Sequence, residues 1–134
     1  MGRSKWDVLA ILSEGEVCEV LEFLLGKREG QQGMRKGMYS FLRETVPHHG
    51  PQEDNTELCL RMRPYEDGLY EFRKQPRTGP KIRVVFFMDG ERVVCVNGFL
   101  KTDTTPQRKL DEAAAARRRY FEDKRKNNLE ILNL

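Results

Sequence analysis

The chain has 134 residues, 34% of them charged, and a formal net charge of +3. That length suits one domain, residues 1–134, with a modest core, and the composition is that of a globular protein with a heavily charged surface. No apolar run approaches the length of a membrane helix and no leader pattern opens the sequence, so a cytoplasmic protein without a membrane partner is expected.

In chain order, "KWDVLAIL" (residues 5–12) is short, apolar and followed by "SEG", which predicts a first strand. Ser13 and Glu16 have the spacing of a capping box, and a helix over 14–27 would align Val17, Val20, Leu21 and Leu24. A second helix over 32–45 would align Met34, Met38, Phe41 and Leu42. "PHHGPQEDN" then predicts a loop. From Leu58 the period changes to two, giving strands over 58–63, 69–74, 82–88 and 92–100, with a long Ala- and Arg-rich helix over 107–126. The expected fold is α+β: a first strand and helical part (1–55), an antiparallel sheet of about four strands (56–106), then the C-terminal helix and tail (107–134).

Cys18, Cys59 and Cys95 are odd in number and each lies in an apolar context, which reads as small buried hydrophobes rather than a disulfide framework. Adjacent His48 and His49 read as loop residues. With no Cys or His at ligand spacing, neither a metal nor another cofactor is expected.

Charge is unevenly placed. Between residues 69 and 101 stand seven basic residues (Arg73, Lys74, Arg77, Lys81, Arg83, Arg92, Lys101) against three acidic ones (Glu71, Asp89, Glu91), a local basic excess of the kind that binds nucleic acid. Asp89-Gly90 predicts a two-residue hairpin turn, with Met88 opposite Glu91 and Arg83 opposite Val96. That register gathers Arg73, Lys74, Arg77, Lys81, Arg83 and Lys101 at one end of the sheet. Strict alternation, however, sends Arg83 and Lys101 to opposite faces. A one-residue bulge, expected at Asn97-Gly98, would reunite them. Such a cluster suits a phosphate backbone. Cations at strand ends also protect sheet edges, and from this feature alone the plainer reading leads.

"GLYEFR", then "IRVVFF", an acidic-Gly turn, "VNGFLKTDTTP" and an Ala-rich basic helix together resemble the RelE/HigB toxin superfamily, closest to its phage-derived HigB-like branch. The resemblance covers about residues 68–120. It implies a RelE-like fold with two N-terminal helices and a long C-terminal one. It also implies the toxin of a type II toxin–antitoxin pair, a ribosome-dependent endoribonuclease that cuts mRNA without metal. Its partners would be the ribosome, mRNA and a HigA-like antitoxin with a helix-turn-helix. Arg73, Arg83 and Lys101 match the family's basic positions, which would hold the scissile phosphate and stabilise its developing charge. Lys74, Arg77 and Lys81 are added as nucleic-acid contacts from their placement alone.

Three positions depart from the family's pattern: Asn97 where relatives carry His, Thr102 in place of a second Lys, and Asp103 where a base is usual. A catalytically weak or inactive RelE-fold module that binds nucleic acid or a host protein is the alternative they raise. Arg117, Arg118 and Arg119 read first as a solvated helix face and second as contacts to ribosomal RNA or an antitoxin. Tyr120 reads as a packing residue.

Overall fold

A computed structural model describes residues 5–12, 18–27, 30–51, 59–61, 68–126 and 131–134. The capping box at Ser13 and Glu16, Val17 and the turn after Pro64 lie outside the described residues. The elements run β1 (Asp7–Ile11), α1 (Glu19–Leu25), α2 (Gln32–Glu44), α3 (Val46–His49), β2 (Cys59–Arg61), β3 (Tyr70–Lys74), β4 (Lys81–Asp89), β5 (Arg92–Lys101), α4 (Gln107–Arg125) and β6 (Ile131–Asn133).

The described strands form one sheet in the order β2-β3-β4-β5-β1-β6. It is mixed rather than antiparallel as expected, because β1 runs parallel to β5, pairing Asp7–Ala10 with Arg92–Cys95. Such parallel pairing needs a crossover, and α1 and α2 follow β1 directly in the chain. β6, unforeseen in the sequence, pairs antiparallel with β1. The expected loop at "PHH" is instead one helical turn, α3. Among the described residues no helix is long and apolar enough to cross a membrane.

The sheet is covered on both faces. On one side Val20, Phe23 and Leu24 of α1 and Met38 and Leu42 of α2 pack on Phe72, Ile82, Val84, Phe86, Val93 and Cys95. On the other, Leu110, Ala113, Ala116 and Tyr120 of α4 pack on Leu69, Val85, Phe87, Val94, Val96 and Phe99. This double cover explains why β4 and β5 are apolar at nearly every position: neither face meets water. Alanines at 113 and 116 let α4 lie close to the strands. Burial pushes the Cys95 thiol well above the ordinary thiol value.

Two polar devices fix the helices. Arg35, fully buried in α2, gives its Nη1 to the carbonyls of Phe23 and Gly26 (2.8 Å for Gly26) and its Nε to Gly30 O at 2.8 Å. These are carbonyls at and beyond the C-terminal end of α1, which a helix end leaves without partners. At the far end of α4, the Tyr120 hydroxyl donates to Asp89 Oδ2 at 2.8 Å and accepts from Arg92 Nη1 at 3.1 Å. Lys124 Nζ reaches the same Asp89 oxygen at 2.7 Å. Tyr120 therefore clasps α4 to the β4–β5 turn, away from the strand ends that carry the cations.

Candidate functional site

The β4–β5 hairpin decides where the cations go. Its loop is Gly90-Glu91, with Asp89 opposite Arg92 and Met88 opposite Val93, rather than the Asp89-Gly90 loop expected. Gly90 takes φ 59°, a left-handed value that a side chain would resist. The ladder then slips between Val85 and Phe86: Phe86 pairs Cys95, Val85 pairs Asn97, and Val96 is the extra residue. The bulge thus exists, one residue before the expected Asn97-Gly98.

Its consequence is a change of phase. Before the slip, Val94 and Val96 face α4; after it, Asn97, Phe99 and Lys101 do, so Phe99 lies opposite Arg83 and Lys101 opposite Lys81. On β3, Arg73 lies opposite Arg83 and Glu71 opposite Val85. Arg73, Lys81, Arg83 and Lys101 therefore share one end of one face, with Glu71 among them. Without the bulge Lys101 would point to the α1–α2 side.

Within this cluster Arg83 is fully buried and Glu71 nearly so, with Arg83 Nε 3.3 Å from Glu71 Oε1. Arg83 Nη1 also donates to Ile82 O at 3.1 Å. Burial is the largest influence on both groups. It pushes the Glu71 carboxyl above the ordinary carboxylate value against the opposing pull of Arg83, Lys101 and Arg73. It lowers Arg83, which Glu71 opposes and Arg73 reinforces. Arg83 remains a cation throughout the accessible pH range. Among the described residues, Arg83 Nη2 and Glu71 Oε2 are buried without hydrogen-bond partners. Arg73, Lys81 and Lys101 are half-buried and form the reachable part of the cluster.

The other sequence-predicted residues lie elsewhere. Lys74 is at the same end but on the opposite face, its side chain lying over Gly37 of α2. Arg77 is exposed in the β3–β4 connection. Gln31 anchors that connection, donating to Thr78 O at 2.8 Å and Pro80 O at 3.3 Å. The three helix arginines diverge. Arg117 stacks over Phe121 with its guanidinium 5.0 Å from the ring centre, near Gly68 and away from the cluster. Arg118 is exposed, and Arg119 lines a small cavity beside Asn97. Asn97 is fully buried and donates from Nδ2 to Lys109 O at 3.0 Å.

The sequence reading missed Glu71 as a site group. Its signal was the phase it shares with Leu69 and Arg73, which places it on the face that α4 covers.

Compared with known proteins, the family described as phage derived protein Gp49-like (DUF891) matches residues 33–120, more than half of the chain. No curated protein and no solved structure matches it.

Proposed function

Because this chain belongs to the phage-derived Gp49-like family, we propose that it is the toxin of a type II toxin–antitoxin pair, a metal-free endoribonuclease acting on ribosome-bound mRNA. The observation that carries this reading is the bulge at Val96, which brings Lys101 onto the face already shared by Arg73, Lys81 and Arg83. In the proposed reaction an RNA 2′-hydroxyl attacks the adjacent phosphorus in line, the bond to the 5′-oxygen breaks, and charge builds on the phosphoryl oxygens. Arg73, Lys81 and Lys101 meet that phosphate, and Arg83 adds its charge from beneath while holding Glu71. The 2′-hydroxyl proton needs an acceptor. Glu71 lies buried against Arg83, out of reach of a bound RNA, so the acceptor is water or a group of the ribosome. The departing 5′-oxygen takes a proton from Lys101 or water. Holding the RNA in line is left to the ribosome, whose fixed geometry can supply much of the rate. The biological partner would be an antitoxin with a helix-turn-helix, encoded beside this chain.

A second reading rests on Asn97. The position that carries His in HigB-like toxins holds a buried amide tied to the backbone of α4, with no group that titrates near neutral pH. A binding module that grips phosphate without cleaving fits that feature.

The test is induced expression with and without an adjacent helix-turn-helix reading frame, scoring growth and cleavage of one mRNA free and ribosome-bound. Arrest relieved by the neighbour, with metal-independent cleavage of the ribosome-bound message alone, is the expected result. Lys101→Met and Arg73→Met should abolish it while leaving soluble protein intact. RNA binding without cleavage in either state would establish the second reading instead.

A further inference from the structure

The cross-strand register sorts the charged cluster into rows on the face toward α4. Glu71 lies opposite Val85 in one row, Arg73 opposite Arg83 in the next, and Lys81 opposite Lys101 in the third, where β4 begins and β5 ends. The arginine row carries its own counter-charge, since Arg83 Nε stands 3.3 Å from Glu71 Oε1 in the buried ion pair. The lysine row lies on the far side of the arginines from that carboxylate. Like charges directly opposite each other on one sheet face repel and destabilise the pairing. Lys81 and Lys101 are such a pair, both half-buried, with Arg83 in the adjoining row. An anion seated between the two ammonium groups removes that repulsion.

We propose that the cluster grips two consecutive phosphates of a single-stranded RNA: the scissile one at the arginine row, and the next one along at the lysine row, which also borders the first. The inference rests on the RNA reading above and adds the length of strand that the site holds. Rows two residues apart on a strand are separated by about 6.6 Å, close to the reach of one nucleotide of extended backbone. Pyrophosphate, whose two phosphorus atoms share a bridging oxygen, is too short to serve both rows. The rows also differ in how they hold an anion. A guanidinium presents a planar fork that orients a phosphate, whereas an ammonium is a point charge that accepts many orientations. The arginine row therefore fixes the phosphate that reacts, and the lysine row tethers its neighbour whatever the bases between them.

The probes are two uridine oligonucleotides with 2′-O-methyl sugars, which cannot be cleaved: a dinucleotide with one phosphate and a trinucleotide with two. Each is titrated into the full chain over a series of salt concentrations. The trinucleotide should bind roughly five- to twentyfold tighter, the reach of two exposed charge pairs. For single strands the logarithm of affinity falls with that of salt by about 0.7 per phosphate engaged, so the slopes should be about −0.7 for the dinucleotide and about −1.4 for the trinucleotide. Lys81→Met with Lys101→Met should bring the trinucleotide to the dinucleotide's affinity and slope. Removing an opposed like-charge pair should leave the urea midpoint at or above that of wild type. Equal affinity and slope of the two oligonucleotides on the wild-type chain, or pyrophosphate binding as tightly as the trinucleotide, would overturn the inference. If ribosome-bound mRNA is nevertheless cleaved, the toxin reading survives that result. The doubled slope without any cleavage would support the two-phosphate grip and favour the binding module.

Discussion

Replacing Arg83 tests the centre of the site. Its guanidinium is fully buried with Glu71 as its ion partner 3.3 Å away. Arg83→Met keeps the apolar stem but leaves Glu71 beneath α4 without its cation. Breaking a buried pair from one side costs about 3 to 5 kcal/mol, because the remaining charge has lost both water and partner. Against a total of roughly 5 to 15 kcal/mol for a domain, that is a large share. At a urea m-value of about 2 kcal/mol per molar, the unfolding midpoint should fall by roughly 1.5 to 2.5 M at pH 7. Replacing both partners, Glu71→Leu with Arg83→Met, should restore most of the loss.

The pH dependence gives a second readout. The Glu71 carboxyl is raised in the folded chain, so the folded state holds its proton more tightly than the unfolded state does. Its contribution is fully present below the unfolded value near 4.5 and is lost as pH rises through the higher folded value. Removing Arg83 takes away the strongest opposing cation and raises Glu71 further. The deficit of Arg83→Met should therefore be smallest near pH 4.5 and grow toward pH 7, and Glu71→Gln should abolish that growth. Urea titrations followed by circular dichroism at both pH values measure it. A midpoint within 0.3 M of wild type (about 0.6 kcal/mol at that slope), with no dependence on pH, would refute the buried pair. It follows that loss of activity in an Arg83 variant cannot by itself assign catalysis, which makes Lys101 and Arg73 the better probes.

Arg35→Met should cost at least about 2 to 3 kcal/mol by leaving the Phe23, Gly26 and Gly30 carbonyls without their charged donor, and amide exchange should quicken first in α1. Tyr120→Phe should cost about 1 to 2 kcal/mol, read from the urea midpoint. Burial alone would raise the Asp89 carboxyl, but hydrogen bonds from Lys124 and Tyr120 outweigh it and hold it below the ordinary value. Asp89 therefore stabilises above its unfolded value near 3.8 and loses that contribution as pH falls, a loss that Tyr120→Phe should make smaller. Any cleavage should survive EDTA, since the chemistry assigned to Arg73, Arg83 and Lys101 uses no metal; loss in EDTA with recovery on adding a divalent ion would overturn it.

The sequence carried the elements better than their arrangement. β4 and β5 were legible because a strand buried on both faces is apolar throughout, and α4 because its Ala- and Arg-rich run begins just after Pro106. The parallel partner of β1 was not, although Val8 and Ala10 pack on one face and Leu9 on the other, which marks an interior strand. β6 has three residues, too few for a periodic signal. Arg35 looks like a surface residue of an amphipathic helix. Its burial is set by the carbonyls of Phe23, Gly26 and Gly30 at and after the end of α1, contacts made only in the folded chain.

The bulge shows why local pattern could not settle the site. "VVCVN" offers apolar residues in both phases, so moving the slip by one position changes no hydrophobic match. Two contacts with α4 select its place. Val96 and Asn97 both face that helix: Val96 fills the core, and Asn97 donates to Lys109 O in the first turn. The slip is thus stabilised from outside the sheet, and every residue after it inherits the phase that puts Lys101 beside Lys81 and Arg83. The place of Lys101 in the cationic cluster accordingly depends on how α4 docks, and α4 is clasped at its far end by Tyr120, Asp89 and Lys124. Asn97 takes on a physical role through this chain of contacts. An amide there supports the bulge that brings Lys101 to Arg73, Lys81 and Arg83. Asn97 thus acts as a positioning residue: held by α4, it fixes where the ladder slips and so on which face Lys101 emerges.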